Sequence, residues 1–157
     1  MNRGRAVAAL VLWLVASLNA VRAQELSREE TIKQGQAAAK AGDYNRVYQL
    51  GLPLALKGDV DFQYGLAGVL LFYAEGIKID GVPDQAHLHV GLTWLRKAAD
   101  GGSEQAMEQL ALFYRWGEKG LTRDNELSDC FTQAESDHKA VVKCRIKEHQ
   151  KGYEDHP

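Results

Sequence analysis

Apolar residues along this chain recur at spacings of three and four, and no run alternates apolar and polar positions long enough to suggest a sheet. The pattern predicts seven helices. The first opens at Ser27, where Glu30 completes a capping-box pattern, runs through Ala37, Ala38 and Ala39, and stops at Gly42. Asp43 caps a second through Val47, Leu50 and Leu54 to Gly58. Pro53 lies inside it, and at a cost of about 3 kcal/mol in a helix interior it predicts a kink or a break. A third helix spans Val60 to Glu75 and ends at Gly76. After a long loop with Gly81 and Pro83 as breakers, a fourth runs from Asp84 to Asp100. The fifth covers Ser103 to Trp116 and ends at Gly117, the sixth starts at a capping Asp124 and reaches Ser136, and the seventh covers His138 to Gln150.

Two of these helices carry nearly the same pattern. One block reads Asp61-FQYGLAGVLLFYAE-Gly76, the other Gly102-SEQAMEQLALFYRW-Gly117. In each, a small residue (Gly65, Ala106) precedes Val69 or Leu110 by four positions, Phe-Tyr follows (Phe72-Tyr73, Phe113-Tyr114), and glycine closes the block. The blocks are separated by Trp94-LRKAADGG, and the unit repeats after 41 residues, from Gly76 to Gly117. A helical unit repeated at this period leaves an apolar face that only its neighbour can cover. Such arrays work by presenting a surface, so a binding face is the first thing to look for.

These residues resemble the Sel-1-like repeat, a relative of the tetratricopeptide repeat. Ala106, Leu110, Ala111, Tyr114 and Gly117 match the first half of its unit, and Trp94, Ala98, Ala99 and Gly102 match the second half of the unit before. Asp124 and Phe131 resemble the second half that follows Gly117, and Gly42-Asp43-Tyr44, Leu52-Pro53-Leu54-Ala55 and Gly58-Asp59 look like a lead-in. The resemblance covers about Gly35 to Ala134. It departs from the family where the loop after Gly76 is long, where Leu70 replaces a small residue and where Gly65 replaces Ala. It implies an all-α fold, a short right-handed α-solenoid of antiparallel helix pairs. The implied organisation is a lead-in pair over 24–58, repeats over 59–102 and 103–136, and a capping helix with tail over 137–157. In tetratricopeptide-like arrays the first helix of each pair lines a concave face. By that analogy Ile32, Gln36, Tyr64, Leu71, Glu108, Leu112 and Arg115 face a groove, with Trp116 at its rim. Aromatic and aliphatic groups beside one Arg and one Glu suit a protein or peptide partner. Leu71 and Leu112 fit packing against a neighbouring helix equally well.

The N-terminus adds a compartment. Arg3 and Arg5, an apolar run from Ala6 to Leu18 and the ending Val21-Arg22-Ala23 have the layout of a secretory signal over 1–23, cleaved before Gln24. The apolar run is short of the roughly 20 residues a membrane span needs, so no span is expected in the mature chain. Without Arg3, Arg5 and Arg22 there remain 16 basic against 21 acidic side chains, a net charge of −5. That balance gives no electrostatic reason to bind nucleic acid or anionic lipid. Cys130 and Cys144 lie seven residues either side of Asp137, at the turn between the last two helices. In an antiparallel hairpin equal distances from the turn bring two residues level. An oxidising compartment then favours a disulfide over two buried thiols.

Candidate chemistry is thin. His87 and His89 form H-x-H, but at a helix start the two rings point apart and no third ligand is near, so no metal is expected. Asp59 and Asp61 read as charge at a helix N-terminus. Ser136 and Lys139 spell S-x-x-K, the pattern of penicillin-binding enzymes, and neither S-D-N nor K-T-G accompanies it. No cofactor motif is present. The expectation is therefore a non-catalytic interaction module of the bacterial periplasm or envelope. The alternatives are an immunity protein against a periplasm-acting toxin, an envelope scaffold on peptidoglycan or polysaccharide, and, through a name some cysteine-rich relatives carry, a β-lactamase-like hydrolase.

Overall fold

The computed structural model describes residues 26–79, 82–134 and 137–153. The expected signal segment and Ser136 lie outside them. Among the described residues seven α-helices follow in chain order: α1 (Arg28–Lys40), α2 (Tyr44–Leu56), α3 (Val60–Phe72), α4 (His87–Asp100), α5 (Glu104–Trp116), α6 (Asn125–Ala134) and α7 (His138–Gln150). A 3-10 turn, Asp84–Ala86, leads into α4. Among the described residues there is no strand, and Ile79 and Val82 form an isolated bridge. Each helix packs on the next in sequence, most extensively α3 on α4 and α5 on α6, and α7 also returns to α4. Among the described residues no helix is long and apolar enough to cross a membrane.

The helix starts follow from local chemistry. Ser27 Oγ accepts from the Glu30 N–H at 3.1 Å, Asp43 from Arg46 at 2.9 Å, Asp59 from Phe62 at 3.3 Å and Ser103 from Ala106 at 3.2 Å. Asp124 and Asp137 do the same for α6 and α7. Each such cap contributes about 1 kcal/mol. Two expectations need correction. Pro53 does not break α2; it opens the last turn and forgoes one helical hydrogen bond. Helix α3 stops at Phe72 rather than Glu75, because Tyr73 turns out to stack on Tyr44, with ring centroids 4.1 Å apart.

The core runs through α2 to α7 on Leu66, Leu70, Leu95, Met107, Leu110, Phe113, Leu127 and Phe131, with Ala67, Ala98, Ala99 and Ala106 at the close approaches. Gly91 makes another: a Cβ there would stand 3.0 Å from Leu71 Cγ and 3.1 Å from Leu70 Cβ. The two Phe-Tyr words do not share a fate. Phe113 and Tyr114 are fully buried, whereas Phe72 and Tyr73 are 52% and 50% exposed.

Buried charge holds α7 in place. The Glu148 carboxylate is inaccessible to solvent and accepts from Arg96 Nε of α4 at 2.7 Å. It also accepts from Tyr114 Oη of α5 and from Arg145 Nη1 one turn back on α7. Arg145 Nε lies 3.3 Å from Asp100 Oδ1, so two guanidinium groups meet two carboxylates. The Tyr114 ring meets Tyr153 edge-on at 5.2 Å. A disulfide joins Cys130 of α6 to Cys144 of α7, as their placement about Asp137 suggested.

Two outcomes follow from these ties. Reduction, or the pair Cys130→Ser and Cys144→Ser, is expected to lower the unfolding free energy by about 3 kcal/mol, the value for a loop of this size, as measured by denaturant titration with and without reductant. Burial, opposed by the Arg96 guanidinium, pushes the Tyr114 hydroxyl from 10.0 up to about 12. Below pH 10 both folded and unfolded chains keep that proton. Above it the unfolded chain ionises first, so stability falls by about 1.4 kcal/mol per pH unit until the folded-state value is reached. Tyr114→Phe should remove this alkaline slope. At neutral pH it should cost about 1.5–3 kcal/mol for the lost bond to a charged acceptor. Denaturation series between pH 9 and pH 12, run on both proteins, check the two effects together.

Candidate binding cleft

A cleft of about 300 Å³ lies between α1 and α3 and is floored by α2. Thr31, Ile32 and Gly35 form one wall, Phe62, Gly65 and Leu66 the other, and Val47, Leu50 and Gly51 the floor. It exists because α1 and α3 both pack on α2 while the facing positions carry no side chain. A Cβ built on Gly35 or Gly65 would meet nothing within 4 Å. Neither glycine has a positive φ, so the backbone does not require them. Each weakens its helix by about 1 kcal/mol relative to alanine.

Arg28 closes one end of the cleft. Its Nε donates to Asp59 Oδ2 at 2.7 Å and its Nη2 to Asp61 Oδ2 at 2.5 Å, while the guanidinium lies 5.7 Å from the centre of the Phe62 ring. The Arg28 hydrogen bond holds the Asp59 carboxyl below its ordinary range, and Arg28 in turn is held more firmly protonated, first by Asp59 and then by Asp61. One cation thus serves two carboxylates, and Asp61 is 83% exposed. A second hollow of about 350 Å³, lined by Glu104, Met107, Glu108, Phe131 and Thr132, lies beside α5 and α6.

At the far ends of α3 and α5 the surface turns aromatic. Phe72, Tyr73 and Trp116 are all exposed. Lys119 Nζ donates to the Leu71 carbonyl at 2.7 Å and sits 4.2 Å from the centre of the Phe72 ring, so the α5–α6 connection caps α3. Lys119 is the one non-glycine among the described residues with a positive φ, 54°, a backbone cost accepted for this reach.

The eight residues singled out from the sequence are not gathered in one place. Ile32 lines the cleft and Gln36 is exposed one turn further along α1. Tyr64 is half-buried against the core beside Gly65. Leu71 is buried and packs at Gly91 of α4. Glu108 belongs to the second hollow, Leu112 and Trp116 are exposed, and Arg115 is engaged by Ser128 and Asp129 on α6. The residues that shape the cleft most, Arg28, Gly35, Asp61 and Gly65, were not among them. Their signal was a glycine in mid-helix with no turn to make. His87 is buried with Nε2 3.9 Å from Asp84 Oδ1, and among the described residues no three His, Cys, Asp or Glu side chains converge as metal ligands would.

No family model, curated protein or solved structure matches this chain.

Because both wall glycines face open space, Gly35→Ala and Gly65→Ala are each expected to raise the unfolding free energy by about 0.5–1 kcal/mol. Thermal and denaturant unfolding of the single and double variants measures this. A loss of stability at either position would show that the glycine has a packing role.

Proposed function

We propose that this protein is a non-catalytic binding module of the Sel-1-like type, a short right-handed solenoid of antiparallel helix pairs that holds a partner protein on the face formed by α1, α3 and α5. The observation that carries this reading is the apolar cleft between α1 and α3, kept open by glycines that cost helix stability. Such a feature benefits a surface used for contact more than a surface exposed only to water. The leader-like N-terminus and the Cys130–Cys144 bridge agree on an oxidising compartment outside the cytoplasm, the periplasm or beyond it. An excess of acidic residues in the mature chain fits a basic partner, which includes a toxin in the immunity reading.

The test is capture from envelope extract on immobilised mature protein, with and without a Gly65→Leu substitution that fills the cleft. One protein retained stoichiometrically by the wild type and lost by the variant is expected. Retention of glycan in place of protein would favour the scaffold reading, and retention of nothing would remove the basis for a binding module.

A further inference from the structure

We infer that the α1–α3 cleft takes a large apolar side chain from a basic segment of the partner, with a lysine or arginine of that segment set against Asp61. This rests on the binding reading and narrows it to one class of ligand. The size argument is direct. A dry cavity of about 150 Å³ accommodates benzene, and this cleft is about 300 Å³, enough for one bulky side chain and part of a neighbour. Apart from Arg28, Thr31 and Asp61, the side chains lining it are aliphatic or aromatic and come from three helices, so the seated group is apolar.

The charge argument selects the rest of the segment. Arg28 is shared between Asp59 and Asp61, which leaves the end of the cleft with one negative charge in excess. Asp61, the more exposed of the two carboxylates, faces the solvent from which a partner arrives. Next to Arg28 in sequence on α1, Glu29 is exposed and Glu30 accepts from Gln34 Nε2, with Lys33 the next cation along the helix. The second hollow is likewise lined by carboxylates, Glu104 and Glu108 of α5. An acidic segment entering the cleft would meet Asp61 and, across Arg28, Asp59 at the start of α3. A basic segment would meet them with opposite charge, and its approach would be assisted at low salt.

The probes are two synthetic peptides with the same leucine positions, one alternating with lysine and the other with glutamate. Titration calorimetry on the mature protein is expected to show the leucine–lysine peptide binding at least about tenfold more tightly than its glutamate counterpart. Gly35→Ala with Gly65→Ala should weaken that binding at least about tenfold while leaving the fold as stable or more so, which separates occlusion of the cleft from unfolding. Asp61→Lys should remove the preference for lysine. Equal affinity for the two peptides would overturn the inference, as would lysine-peptide binding unchanged by the glycine pair. Neither result bears on the wider binding reading, which depends on capture from extract.

Discussion

Glu148 is a carboxylate cut off from water, and the C-terminal half of the protein is arranged to make that tolerable. Removing such an ion from water costs several kcal/mol, and only well-placed donors offset it. Here the donors come from three helices: Arg96 on α4, Tyr114 on α5 and Arg145 on α7 itself. The net stability gained is small by comparison with what would be lost if one partner were withdrawn. The constraint is therefore geometric above all. Sliding α7 by one turn, about 5.4 Å, would strand Glu148 away from Arg96 and Tyr114. The disulfide acts on the same helix from its other neighbour, α6, so α7 is fixed both by a covalent bond and by the position of a charge.

The opposite end is built on weaker terms. Helix α1 packs on α2 and reaches α3 through Arg28, whose ion pairs lie at the surface. Exposed pairs of this kind contribute about 0–1 kcal/mol and are screened by salt. Two glycines further lighten the facing walls. The molecule is thus graded, from a covalently and electrostatically fixed C-terminal helix to an N-terminal pair with an open seam. Local openings concentrate where buried contacts are few, and the cleft lies in that part of the gradient.

This grading explains what could be read from sequence. Caps at Ser27, Asp43 and Asp124 depend on residues three positions away and were legible in advance, whereas Ser103 and Asp137 were placed at helix boundaries without being read as caps. The Cys130–Cys144 pairing was legible because the turn between them is short and its centre was marked by Asp137. The Arg96–Glu148 contact spans 52 residues and leaves no local trace. On helical periodicity Arg96 reads as a solvated cation and Glu148 as one of many charges in a polar tail. Tyr114 was legible as core but not as a donor. The cleft fell between these cases. Ile32 was singled out by analogy with tetratricopeptide-like arrays and lines the cleft, whereas Gly35 was passed over and Gly65 noted only as a departure from the repeat pattern, because what they contribute is the absence of a side chain.

The duplicated Phe-Tyr word shows how the two halves came to differ. In the second copy the helix continues to Trp116, Phe113 enters the core and Tyr114 supplies the hydroxyl that Glu148 requires. In the first copy, among the described residues, no buried carboxylate stands beside Tyr73. Tyr73 leaves the helix to stack on Tyr44, Phe72 stays at the surface beneath Lys119, and the Leu71 carbonyl is satisfied by that lysine instead of by another turn. A shared word thus fixes neither the end of the helix nor the role of its residues, which depend on what the neighbouring elements bring. The second copy is committed to holding α7. The first is free of that duty, and it is the copy whose helix forms a wall of the cleft.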